Sequence, residues 1–146
     1  MPENKDHIDL DGWDLHRAAR ENSVDRARAF IARGDDVNAR DKVGDTPLHD
    51  AAWYNSRHVA RMILELGAEV NTRDEDGESP PHVTASKDST DVARILIEHG
   101  AEVDLKSNIV WTPMQMAASD GNSKKVVRQL EDHGVKVDAR NKQGWT

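Results

Sequence analysis

The residues of this chain best suited to chemistry are its seven histidines, which could ligate a metal or serve as general acids and bases. Three of them, His16, His49 and His82, recur at intervals of 33 residues. His58, His99 and His133 lack a partner at metal-ligand spacing, and the last two fall beside glycines, where a cation favours a helix C-terminus. There is no cysteine, which excludes disulfides, thiolate zinc sites and a cysteine nucleophile. No glycine-rich phosphate loop, HExxH helix or nucleophile elbow is present. No serine or threonine is paired with a histidine and an aspartate at any suggestive site. We therefore expect no catalytic residue, metal ligand or cofactor, and read the regular histidine spacing as structural.

Other residues keep the same interval. Pro47, Pro80 and Pro113 are 33 apart, as are Thr46, Ser79 and Thr112. Gly34, Gly67, Gly100 and Gly134 follow at 33, 33 and 34, and so do "DVN" at 36–38, "EVN" at 69–71, "EVD" at 102–104 and "KVD" at 136–138. Independent markers in one register define an internal repeat. The units run approximately 11–43, 44–76, 77–109 and 110–143, and 144–146 open a further one; we read 1–146 as a single domain. Ending on "GWT" with no helix behind it, the chain reads as a piece of a longer array.

A repeat also accounts for the composition. Apolar residues make up 36% of the chain, charged residues 32%, and there is one phenylalanine. That is little for a spherical core but enough for a solenoid, in which each layer contacts only its neighbours. The apolar runs are too short to cross a membrane, and the polar N-terminus "MPENKDHIDLDG" shows no secretory signal. A net charge of −7 argues against nucleic acid as the main partner.

The second unit gives the local structure. Thr46 is an N-cap, and Pro47 takes the first helical position, where its missing N–H costs nothing. Leu48, Ala51 and Ala52 form a narrow apolar stripe whose small side chains let helices approach closely. Asn55 breaks the helix where a residue tolerant of positive φ is needed. A second helix carries Val59, Ala60, Met62, Ile63, Leu64 and Leu66, and Gly67 ends it. "AEVNTRDEDG" then reads as an extended turn leading to the next Ser-Pro. No unit could bury its stripe alone.

Thr-Pro-Leu-His-x-Ala-Ala with a later Leu-x-x-Gly-Ala-x-Val-Asn, repeated every 33 residues, resembles the ankyrin repeat from about residue 11 to 146. The resemblance implies an all-α solenoid of stacked helix-turn-helix units with projecting β-hairpin-like loops, tied together through the motif histidines. Layers about 10 Å apart would keep His16, His49 and His82 from sharing a metal. The copies differ. Unit one has Trp13-Asp14 in place of Thr-Pro, as expected of a cap facing solvent. Unit three puts Pro81 in the leucine slot and Thr84 in an alanine slot. Unit four replaces the glycine by Val110 and the histidine by Gln115, inserts one residue around 122–125, and places Gln129 and Glu131 in apolar slots. Units three and four should be the less stable end, and glycine at position 110 should help if the backbone there has positive φ.

In ankyrin repeats the hairpin tips and first-helix faces line a concave groove. Here those positions are Lys42, Val43, Asp45, Trp53 and Tyr54, then Glu75, Asp76, Glu78, Ser86 and Lys87, then Asn108, Ile109, Trp111, Ser119 and Asp120. Val43, Trp53, Tyr54, Ile109 and Trp111 are large apolar groups of the kind that anchor interfaces, though they could also merely cover neighbouring layers. Segments 34–45, 67–78 and 100–111 carry −2, −4 and −1, which together match the charge of the whole chain. Either this is an ordinary solvated edge, or it steers a partner with a basic stretch beside an apolar anchor. Asn38 and Asn71 occupy hairpin positions that asparaginyl hydroxylases modify in some family members. The alternative is that each bonds its own turn backbone.

The expectation is thus a non-enzymatic, monomeric protein-binding module, preorganised by stacking, with no nucleic-acid or membrane partner. It would act in cytoplasm or nucleus, or in a host cytosol if delivered there by a bacterium. Two rivals are a self-associating structural segment and the targeting domain of a larger protein, which could be an enzyme.

Overall fold

The structure, a computed structural model, describes residues 12–120 and 123–141, the side chains of Asp120 and 134–141 excepted. It is all-helical: α1 (Leu15–Arg20), α2 (Val24–Ala32), α3 (Pro47–Tyr54), α4 (Arg57–Glu65), α5 (Pro80–Lys87), α6 (Thr90–Glu98), α7 (Pro113–Asp120) and α8 (Lys124–Asn141). The odd-numbered first helices pack in series, α1 on α3, α3 on α5 and α5 on α7, and the second helices form a parallel row from α2 to α8.

Small residues set the spacing of the inner row. Ala18, Ala19, Ala51, Ala52 and Ala85 are fully buried, while Ile63, Val59, Val92 and Ile95 fill the space between the rows. Thr46 caps α3 as expected, with Pro47 behind it. In unit one the cap is Asp14 and not Trp13, because the Asp14 carboxylate accepts the Arg17 N–H at 2.7 Å. Trp13 is instead half-buried, with the Arg17 and Arg26 guanidinium groups 4.3 and 4.0 Å from its ring centroid.

The turn between the two helices of a unit is where one layer is fixed to the next. Asn22, Asn55 and Asp88 all have positive φ, at 56°, 55° and 53°. Each of their side-chain oxygens then accepts an N–H at the start of the following unit's second helix: Val59, Val92 and Val126, at 3.0, 3.1 and 3.1 Å. One residue type therefore meets two needs. Asn and Asp tolerate the left-handed conformation, and they satisfy an N-terminal N–H that the helix itself cannot.

Several details differ from the sequence reading. Leu66 does not join the apolar stripe of α4; it is the exposed C-cap, with Gly67 beyond it at φ 106°. Pro81 and Thr84 are both buried, and the Thr84 hydroxyl donates to the Pro81 carbonyl at 2.8 Å, so its burial leaves no lost hydrogen bond. The largest departure is α8, which runs through Gly134 and "KVD" to Asn141 where the repeat predicts a helix end. The earlier hairpins bond to the layer after them. In α8 the continued helix satisfies the same backbone groups locally. Of the span 122–125 assigned to the inserted residue, 123–125 are described and lead into α8; residue 122 and the opening of the further unit, at 144–146, lie outside the described residues.

Candidate functional site

The hairpins, numbered two (34–45), three (67–78) and four (100–111) by the unit each leads into, are built so that one tip holds the next. In hairpin two the Asp41 N–H donates to the Asp45 carbonyl at 2.9 Å, and an Asp41 carboxylate oxygen accepts the N–H groups of Val43 and Asp45, both at 3.0 Å. Asp74 does the same for Asp76 and Glu78 in hairpin three, at 2.9 and 3.0 Å. Adjacent tips then join through backbone: Glu75 N–H to the Val43 carbonyl at 3.0 Å, and Asn108 N–H to the Asp76 carbonyl at 2.8 Å. Gly77 cannot carry a side chain here. Its φ is 74°, and a Cβ would lie 2.8 Å from the Asn108 backbone nitrogen.

The motif histidines hold these hairpins to the helices. The Thr46 N–H donates to His49 Nδ1 at 3.1 Å, which fixes the proton on Nε2, and Nε2 donates to the Glu78 carbonyl at 2.8 Å. His82 repeats this between Ser79 and the Trp111 carbonyl, at 3.1 and 2.8 Å, and His16 Nε2 reaches the Asp45 carbonyl at 2.9 Å. Burial pushes the pKa of His49 and His82 below the usual imidazole value, consistent with neutral rings. With both nitrogens engaged, His49 has no lone pair free for a metal, although the Asp45 and Asp74 carboxylates converge beside it.

Asn38 and Asn71 reach the next unit and not their own turns. Asn38 Oδ1 accepts the Glu69 N–H at 2.9 Å, and Asn71 Oδ1 accepts the Glu102 N–H at 2.8 Å. Arg40 also crosses, donating to the Arg73 carbonyl at 2.7 Å.

The large apolar groups stand out from this framework. Val43, Trp53, Tyr54, Ile109 and Trp111 are 52%, 48%, 54%, 64% and 37% exposed, more than stacking requires. The Trp53 and Tyr54 rings lie 6.4 Å apart at 51°, a corner at the end of α3. Lys87, from the end of α5, places its ammonium 3.9 Å from the Trp53 ring centroid. Lys42, Glu75, Asp76, Asn108 and Ser119 are exposed, whereas Asp45, Glu78 and Ser86 are half-buried. The Asp120 side chain lies outside the described residues.

Sequence reading missed how the carboxylates between hairpins meet. Asp45 Oδ1 is buried without a hydrogen-bond donor, and burial, with Asp74 second, raises the Asp45 pKa to about 8. Burial likewise raises Asp50, to about 6, and Glu78. A signal was available. Each histidine bonds a carbonyl 29 residues ahead of it, and Asp45 and Asp74 stand at that same separation.

The family model for ankyrin repeats, in three copies, matches residues 3–74 and again 66–141. The chain belongs to the ankyrin repeat family, whose members generally serve as non-enzymatic protein–protein interaction modules. No curated protein matches it. Among the described residues, no helix is long and apolar enough to cross a membrane.

Proposed function

We propose that the face formed by the hairpin tips and the ends of the first helices is a protein-binding groove, with Trp53, Tyr54, Trp111, Ile109 and Val43 receiving an apolar anchor. The observation that carries this reading is their exposure on hairpins and helix ends otherwise held by backbone bonds. Large rigid aromatics give contact area at small entropic cost, and the stacked frame leaves little ordering to be done on binding. The exposed Glu75 and Asp76 add an acidic margin suited to a basic stretch of the partner, with Asp45 and Glu78 half-buried behind it. The module acts as a monomer, so light scattering should return one particle mass across a wide concentration range.

The test is a comparison of affinities for a protein captured by the parent and then purified. The paired change Trp53→Ala with Tyr54→Ala should weaken binding by about 30-fold or more, mainly through faster dissociation. Glu75→Lys with Asp76→Lys should instead slow association and flatten its dependence on salt. Unchanged affinity in a folded Trp53/Tyr54 variant would move the interface to the second helices.

A further inference from the structure

Between hairpins two and three, the Asp45 carboxylate faces that of Asp74. Asp45, Asp74 and His49 bring one ligand-type atom each within 4.8 Å of one another. The remaining neighbours make ionisation harder still. Asp41 lies in the same hairpin and Asp50 on α3, and both add negative charge near Asp45. On the facing hairpin, Glu78 is itself partly buried and close to Asp74. His16, on α1, donates to the Asp45 carbonyl and not to its carboxylate. His49, on α3, is neutral and engaged at both nitrogens. The nearby Arg40 guanidinium bonds the Gly44 and Arg73 carbonyls at 3.1 and 2.7 Å, and Arg20 sits 3.8 Å from Asp50. Among the described residues no ion pair reaches Asp45, and no N–H or O–H reaches its Oδ1.

We propose that Asp45 and Asp74 form a proton-operated latch between hairpins two and three. With a proton on Asp45, one carboxyl donates to the other and the hairpins are tied. With both ionised, two like charges face each other across a half-buried contact, and the tie is weakened. The latch rests on the hairpin contact alone and stands whether or not this face binds a partner.

The direction of the pH effect follows. A carboxyl whose folded value lies above its ordinary 3.8 contributes stability that is complete below that value and is lost as pH rises through about 8. Asp50 acts in the same direction but is spent by about 6. Glu78 also acts in that direction. His49 and His82 act oppositely, losing stability as pH falls below the ordinary 6.5. Above pH 6.5 the unfolded His49 and His82 rings lose their remaining protons as well, so their contribution levels off and the latch should dominate toward pH 8.

The experiment is thermal unfolding of the parent and of Asp45→Asn from pH 6.5 to 8. The amide supplies a permanent donor toward Asp74. The parent midpoint should fall by a few degrees across the window, whereas Asp45→Asn should be flat and more stable than the parent at pH 8. A parallel measurement follows the side-chain carboxyl carbons of Asp45 and Asp74 by NMR, together with the protection factor of the Glu75 amide that bridges to Val43. One carboxyl titrating above pH 6, with Glu75 protection falling in step, supports the latch. Titration of both carboxyls below pH 5, or equal pH slopes in parent and Asp45→Asn, would overturn it.

Discussion

Hairpins three and four occupy equivalent positions in the repeat and are held very differently. Hairpin three has Asp74 accepting two turn N–H groups, Gly77 at its positive-φ corner, and the next hairpin closed down on it. Hairpin four has Ser107, whose hydroxyl accepts one N–H at 3.4 Å, and Val110 at φ 67°. The helix that follows has Gln115 in the histidine slot, accepting the Thr112 N–H at 2.9 Å. Among the described residues, two of the four buried side-chain atoms without a hydrogen bond, Ser123 Oγ and Gln129 Oε1, also belong to unit four. The difference shows what a neighbour demands. Where another hairpin packs on the tip, a Cβ would meet its backbone; at Val110, where no described hairpin packs, a strained valine stands exposed.

The sharpest way to break this comparison is to truncate the same slot in two units. His49→Ala removes the acceptor for Thr46, the donor for Glu78 and a buried ring. It should cost about 3 kcal/mol in denaturant unfolding. Gln115→Ala, exposed and bonded only to Thr112, should cost about 1 kcal/mol or less. Equal losses would mean that unit four is as firmly tied as unit two.

Opposite substitutions at the corner glycine position come next. Gly77→Ala puts a Cβ against the Asn108 backbone at an unfavourable φ and should destabilise by about 2 kcal/mol. Val110→Gly relieves the strained conformation, partly offset by the greater freedom of glycine in the unfolded chain. It should stabilise by about 0.5–1 kcal/mol. A lower melting temperature for Val110→Gly would contradict the strain at this corner.

The smallest effect is expected from Ser107→Asp, which gives hairpin four the carboxylate that caps the two preceding turns. A gain of about 0.5 kcal/mol, lost when the carboxylate is protonated in acid, would show that the weakness of hairpin four lies in its turn. No gain would place it outside the turn.

What the sequence determined by itself was everything local or periodic. Thr46-Pro47 announces a capped helix start, Asn55 a left-handed turn, and the 33-residue interval a stack, because caps, φ preferences and repeats act within a few residues or recur in register. The exposure of Trp53, Tyr54, Ile109 and Trp111 was also legible, since the same register that places the core leaves these positions outside it. Tertiary structure alone decided what crosses between layers. Asn22, Asn55 and Asp88 cap the helices of the next unit, and Asn38 and Asn71 bond the backbone of the next hairpin. Leu66 turns out to solvent. The continuation of α8 past Gly134 was likewise not legible from the repeat. Asp45 is the clearest case. It reads as a surface charge in the chain, and only the packing of one hairpin on the next turns it toward Asp74, where the low local polarity makes its proton matter.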